Sequence, residues 1–173
     1  GVQTCALPIS CAIFDSCGEM IAQAAHIPVH LGSMSFSIKA VLEELDISEG
    51  DIFILNDPFR GGTHLPDVTC VAPVFVNKTP EFFVAARAHH ADIGGSAPGS
   101  MPLSSSIYEE GVIIPPSKLY ERERLSRPLF EKITHSSRDP EEREGDFRAQ
   151  IGALQLGIKR LKEVANKYQI RIL

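Results

Sequence analysis

The sequence predicts an α+β fold: a mixed or antiparallel sheet built from β-hairpins, one helix packed on it, and a long C-terminal helix. Three observations carry that expectation. Val68 to Val76 and Glu81 to Ala88 are runs of β-branched and aromatic residues on either side of Asn77-Lys78-Thr79-Pro80, which reads as a hairpin. Ile38, Val41, Leu42 and Leu45 fall at helical spacing. Phe147, Ile151, Leu154, Ile158, Leu161, Ala165 and Tyr168 recur at alternating steps of four and three, which marks one apolar helix face.

Composition narrows the function classes. A chain of 173 residues with 43% hydrophobic and 23% charged residues suits one soluble domain. The net charge of −5 comes without a basic stripe, and no segment interleaves Lys or Arg with aromatics, so no nucleic acid partner is expected. No apolar run approaches the roughly 20 residues that cross a bilayer, so no membrane partner is expected either. The four cysteines, Cys5, Cys11, Cys17 and Cys70, show neither CxxC spacing nor the density of a secreted scaffold. A reducing, cytoplasmic location is therefore expected, with Cys11 and Cys70 as buried strand residues.

In chain order, residues 1–9 (GVQTCALPI) match neither a strand nor a helix, and they are expected to be non-native sequence standing where the natural chain continues upstream. Ser10 to Asp15, a turn at Gly18, and Met20 to Ala24 give a second hairpin. His26 and His30 bracket Pro28, which is expected to interrupt a helix, so the packed helix is placed from about Ser35 to a stop at Asp46 to Gly50. Either histidine can point into a pocket or be satisfied within a loop. Ile52 to Leu55 reads as a strand ending in the turn Asn56-Asp57-Pro58.

The stretch from Asp51 to Gly95 holds three of the six histidines, each beside an aspartate: His64 with Asp67, and His89 and His90 with Asp92. A hairpin places the start of one strand beside the end of the other, so the two clusters should meet at one end of the sheet. Two imidazoles and a carboxylate leave open positions on a divalent ion, an arrangement suited to catalysis. The competing reading is that these histidines cap turns. Gly61-Gly62 and Gly94-Gly95 let main chain approach a ligand closely, or simply make turns.

Gly95 to Ser106 is rich in Gly, Pro and Ser, and a loop of that length within a domain points to function. Glu109-Glu110 reads as a solvated pair. The C-terminal third reads as helical. Asp139 is placed as N-cap, with Pro140 at the first helical position and Glu142 three residues after the cap. A helix of about 30 residues spans roughly 45 Å. It is expected to outrun the sheet, leaving Phe147, Ile151, Leu154 and Leu161 only partly covered and free to pack on further chain or a partner.

SCAIFD, AQAAHIPVHLGSM, GDIFILNDPFRGGTHLPDVT, RAHHADIGG, PGSMP, EEGVIIPP and FRAQIGA follow one another in an order that resembles the hydantoinase B/oxoprolinase family, from Ser10 to about Leu173. Family members are much longer, so the resemblance implies an N-terminal fragment of a larger fold, with residues 10–138 as the metal-site region and 139–173 as a helix running on into further chain. It implies a divalent metal, manganese first with zinc or iron as alternatives, on His64, Asp67 and His89. His30, Asp57, His90 and Asp92 are the groups it sets around that site or towards substrate. A further acidic ligand is expected just ahead of SCAIFD, where GVQTCALPI has no acid. The implied activity is hydrolysis of a cyclic amide such as 5-oxoproline or a hydantoin, driven by a hydantoinase A-type ATP-using subunit or fused domain in a hetero-oligomer. The alternatives are carboxylation of a phosphorylated enolate, as in acetone carboxylases, and a non-catalytic assembly subunit.

Overall fold

The computed structural model describes residues 9–24, 28–99 and 102–168. Its elements are β1 (Ile9–Asp15), β2 (Met20–Gln23), α1 (Pro28–Glu44), β3 (Ile52–Leu55), β4 (Asp67–Val76), β5 (Thr79–His89), β6 (Ser117–Glu121), β7 (Arg124–Leu125), α2 (Arg127–Thr134) and α3 (Pro140–Tyr168). Among the described residues the strands form one sheet in the order β2-β1-β5-β4-β3-β6-β7, with every pair antiparallel. The expected α+β class, the hairpins, the packed helix and the long C-terminal helix are all present.

Helices cover both faces, and strand alternation sorts the side chains between them. Even-numbered residues of β4 and β5 (Val68, Cys70, Ala72, Val74, Phe82, Val84, Ala86) pack with Phe130, Ile133, Phe147, Ile151 and Leu154 of α2 and α3. Their odd-numbered neighbours Val71, Phe83 and Ala85 pack with Met34, Ile38 and Val41 of α1. Towards one end of β4 and β5 the α1 side turns polar, with Asp67, Thr69 and Arg87 all buried. That polar end is the candidate site.

Four local expectations are corrected. Pro28 opens α1 and does not interrupt it, because proline at a first helical position removes only an N–H that has no intrahelical partner. His30 therefore lies in the first turn of α1; His26 is outside the described residues. The β4–β5 turn is two residues long, Asn77 and Lys78 at φ 52 and 71, and Thr79 and Pro80 already belong to β5. The C-terminal third begins with the hairpin β6–β7, whose turn residues Arg122 and Glu123 take φ 46 and 68 without glycine. Tertiary bonds hold that turn: Arg122 N–H donates to buried Asp51 at 2.8 Å and Glu123 N–H to the Gly50 carbonyl at 2.9 Å.

The fourth correction concerns α3. Phe147, Ile151 and Leu154 are buried by the sheet, and of the four seam residues singled out only Leu161 is partly covered. The sheet is wide enough because β4 and β5 run ten and eleven residues. Leu156, Val164 and Tyr168, off that face or near the end of α3, stay exposed. Cys70 is buried and Cys11 half-buried; burial pushes the Cys70 thiol up to about 12 and raises that of Cys11.

At the start of α3, Glu142 N–H donates to the Asp139 carboxylate at 3.0 Å, the expected cap. Further along, Phe147 stacks on the His90 ring at a centroid distance of 4.3 Å. In urea unfolding, Phe147→Ala should cost about 3–5 kcal/mol through the cavity it leaves, whereas Asp139→Ala should cost about 1 kcal/mol. Equal losses would show that the Phe147 seam does not anchor α3.

Candidate metal centre

The β4–β5 register sets Asp67, the first residue of β4, directly opposite His89, the last of β5. His64 precedes them in a tight turn in which Asp67 N–H donates to the His64 carbonyl at 2.8 Å. One ligand atom from each of His64, Asp67 and His89 lies within 4.8 Å of the others. The two rings have centroids 5.7 Å apart, tilted by 36°, and His89 Nδ1 is 2.7 Å from Asp67 Oδ1. Asp67 is buried while both rings are half-exposed, so the carboxylate forms the floor and the imidazoles the mouth. Two nitrogens and a carboxylate that converge from three chain positions fit a divalent cation and leave its remaining positions open.

The floor extends beneath α1. His30 Nε2 lies 3.7 Å from Asp67 Oδ1, and its Nδ1 is 2.8 Å from Ser10 Oγ. Arg87, fully buried, donates from Nε to Thr69 Oγ1 at 2.8 Å, from one terminal nitrogen to Ser37 Oγ at 2.9 Å, and from the other to Ser33 Oγ. Ser37 in turn donates to the Gly61 carbonyl at 2.5 Å, in the loop that leads to His64. Burial lowers the Arg87 pKa to about 10, with Asp67 opposing the shift, so the guanidinium stays charged at neutral pH. His30 is held below its ordinary value chiefly by burial, against the pull of Asp67.

The loop from β3 to β4 is stitched by Asn56, which is fully buried. It donates to the Leu65 and Val112 carbonyls, each at 2.8 Å, and accepts from Ile114 N–H at 2.6 Å. Asp57 serves the same loop: its carboxylate accepts from Phe59 N–H at 2.9 Å, and its carbonyl from Gly62 N–H at 2.8 Å. Gly61, at φ +88, lies so close to α1 that a Cβ there would be 2.7 Å from the Phe36 carbonyl. A Cβ on Gly62 would be 2.2 Å from the Asn56 carbonyl. These glycines admit neighbouring backbone. Gly94 and Gly95 do likewise against Ser136 and Glu110.

The other two candidate residues serve elsewhere. His90 lies on the α3 side, fully buried, with Nε2 at 3.2 Å from Gln150 Oε1 and Nδ1 at 3.2 Å from Arg143. Burial, the Arg143 charge and His89 lower its pKa to about 3 against the opposing bond to Gln150, so His90 is neutral at pH 7. Asp92 accepts from Gly94 N–H, from Arg138 N–H and from the Arg138 guanidinium at 2.8–3.1 Å. Burial alone would raise its pKa; those donors outweigh it and hold the carboxyl below the usual range. Glu109 and Glu110 bond to Ser105 and Ser104 in their own loop, and the segment where the extra acidic ligand was expected lies largely outside the described residues.

Sequence reasoning missed Ser10, Ser33, Ser37, Arg87, Gln150 and Arg143. Arg87 had a visible signal, a charged residue inside the apolar run FFVAARAHH, where strand alternation puts it on the same face as His89. Gln150 carried none, since its partners are the Val68 and Ala86 carbonyls, bonded at 2.9 and 2.7 Å and far away in sequence.

The family model for hydantoinase B/oxoprolinase matches residues 5–173. An uncharacterized protein of Methanocaldococcus jannaschii is 45% identical over 168 residues, covering 94% of this chain and 30% of its own length. A 5-oxoprolinase of Arabidopsis thaliana is 40% identical, with 94% of this chain and 14% of the relative covered. The solved ATP-dependent caprolactamase of Pseudomonas jessenii superposes with a TM-score of 0.88 at 35% identity, over 94% of this chain and 29% of that one. The chain thus spans less than a third of the length of these relatives.

The buried, neutral His90 sets a pH dependence. Its folded pKa lies below the unfolded value, so its contribution to stability is complete above about pH 6.5 and is lost as pH falls towards 3. Urea midpoints measured at pH 7.5 and pH 4.5 should fall more for the natural chain than for His90→Gln. Equal falls would mean that His90 titrates normally.

Proposed function

The chain belongs to the hydantoinase B/oxoprolinase family, and on that premise we propose that it supplies the metal centre of an enzyme that hydrolyses a cyclic amide, using ATP through a partner. The observation that carries this reading is the convergence of His64, Asp67 and His89 at the open end of the sheet. The names of two relatives, 5-oxoprolinase and caprolactamase, point to lactam rings as the substrate class.

In the proposed reaction the partner, a hydantoinase A-type subunit or fused domain, transfers the γ-phosphoryl group of ATP to the amide oxygen. Water then adds to the former carbonyl carbon, the ring C–N bond breaks as the nitrogen takes a proton, and a second water hydrolyses the resulting acyl phosphate to the carboxylate and inorganic phosphate. His64, Asp67 and His89 would hold a divalent cation, manganese first and zinc or iron otherwise, which when bound would supply Lewis acidity towards the substrate oxygen and water. The half-exposed His64 and His89 rings admit substrate from the solvent side, and Asp67 anchors the set from below. His30 supports Asp67, Asp57 holds the loop that delivers His64, and His90 and Asp92 fix the chain that follows His89. A subunit named beta in the Pseudomonas jessenii caprolactamase supports a hetero-oligomer as the working assembly.

The test uses the longer protein with its ATP-using partner. His64→Ala and Asp67→Ala should each lose bound metal and slow ATP-dependent ring opening by more than roughly 100-fold, the upper end for mere supporting residues. Asp139→Ala should leave both unchanged. A His64→Ala protein that kept its metal and its turnover would exclude this site, and bicarbonate-dependent product from a ketone would mark the reaction as carboxylation instead.

A further inference from the structure

Behind Asp67 the structure holds a buried line of three polar groups from three different elements. Ser10 comes from β1, His30 from the first turn of α1 and Asp67 from the start of β4. Ser10 and His30 are each 3% exposed, so neither side chain reaches solvent or substrate. Ser10 Oγ is 2.8 Å from His30 Nδ1, and His30 Nε2 is 3.7 Å from Asp67 Oδ1, the oxygen that His89 Nδ1 also approaches at 2.7 Å.

We propose that Ser10 and His30 are positioning residues for Asp67: the serine hydroxyl donates to Nδ1 and so fixes the imidazole tautomer whose Nε2–H faces the carboxylate. The alternative tautomer places the proton on Nδ1, with Ser10 accepting. It would then turn the Nε2 lone pair towards a carboxylate oxygen in a buried setting, where repulsion is little screened. A serine hydroxyl rotates to suit either partner, so the carboxylate biases the tautomer and the serine, by donating to Nδ1, completes that bias. His89 Nδ1 at 2.7 Å and His30 Nε2 at 3.7 Å then approach the same carboxylate oxygen, Oδ1, from two different elements. Arg87, paired with Ser10 across the β1–β5 register and bonded to Ser33 of α1, keeps the strand and the helix that carry the two groups together.

The inference rests on the reading of Asp67 as a ligand, and its test separates the two. Glutamine at position 30 reproduces a donor near Nε2, and asparagine one near Nδ1. Manganese(II) binding to the chain, followed by electron paramagnetic resonance, should stay within about threefold of the natural protein for His30→Gln and weaken about tenfold or more for His30→Asn and Ser10→Ala, the range for groups that support a ligand. Melting temperatures of the metal-free chains supply the fold control. The reverse order, with asparagine rescuing and glutamine failing, would show that His30 serves Ser10 and not Asp67. Nitrogen-15 spectra of the metal-free chain give a readout independent of any metal: Nε2–H for His30 in the natural chain, and a mixture of tautomers in Ser10→Ala. Nδ1–H in the natural chain overturns the inference whatever the metal does. Nε2–H in a chain that binds no manganese would instead sink the metal reading and leave the relay standing.

Discussion

The register of β4 against β5 is the constraint on which the rest depends. Side chains alternate across a sheet, so slipping one strand by a single residue would send its whole set of side chains to the opposite face. Here the register pairs Asp67 with His89 and Thr69 with Arg87 on the α1 face, while Val68 and Ala86 face α3. It is set by the turn at Asn77 and Lys78, whose left-handed backbone matches the twist of the flanking strands. That turn lies at the far end of the hairpin from the polar cluster. A bulge between Val74 and Phe75 absorbs the irregularity close to the turn, so the pairing is regular by the time it reaches the site.

The same face carries a liability that the fold answers with hydroxyl groups. Arg87 is fully buried, and a guanidinium removed from water is costly unless its donors are met. Three hydroxyls, from Thr69, Ser33 and Ser37, accept from it, and Asp67 supplies the nearby opposite charge. Hydroxyls satisfy the donors without neutralising the charge. Asp67 therefore remains the electrostatic counterpart of Arg87, and the carboxylate of the site lies in the field of a buried cation. Because Ser37 passes the contact on to the Gly61 carbonyl, the loop that carries His64 is fastened to the same hub.

Much of this was legible in the sequence, and the limits are physical. The hairpin followed from β-branched runs, and the meeting of His64, Asp67 and His89 followed from the hairpin, because local pairing turns sequence separation into adjacency. The choice between His89 and His90 did not follow from the runs alone, since alternation fixes the face only once the register is known. The β6–β7 hairpin was invisible because Arg122 and Glu123 take left-handed conformations through bonds to Asp51 and Gly50, residues remote in sequence. Pro28 misled because the same residue opens a helix or breaks one, and which it does depends on where the hydrogen-bond ladder begins. The serine hydroxyls at Arg87 lay beyond reach because Ser33 and Ser37 meet it only once α1 is docked.

His89 and His90, adjacent in sequence, show how one backbone serves two faces. His89 joins the polar cluster on the α1 side, while His90 is stacked on Phe147 and bonded to Gln150 and Arg143 on the α3 side. Gln150 also donates to the Val68 and Ala86 carbonyls, one residue beyond Asp67 and three before His89. The peptide between the two histidines is further held by His90 N–H donating to the Pro66 carbonyl at 2.9 Å. A shift of α3 along the sheet would therefore move the main chain from which both Asp67 and His89 project. The apolar packing of the long helix and the geometry of the polar cluster are coupled through two strand ends, and whatever settles α3 in place also settles the site.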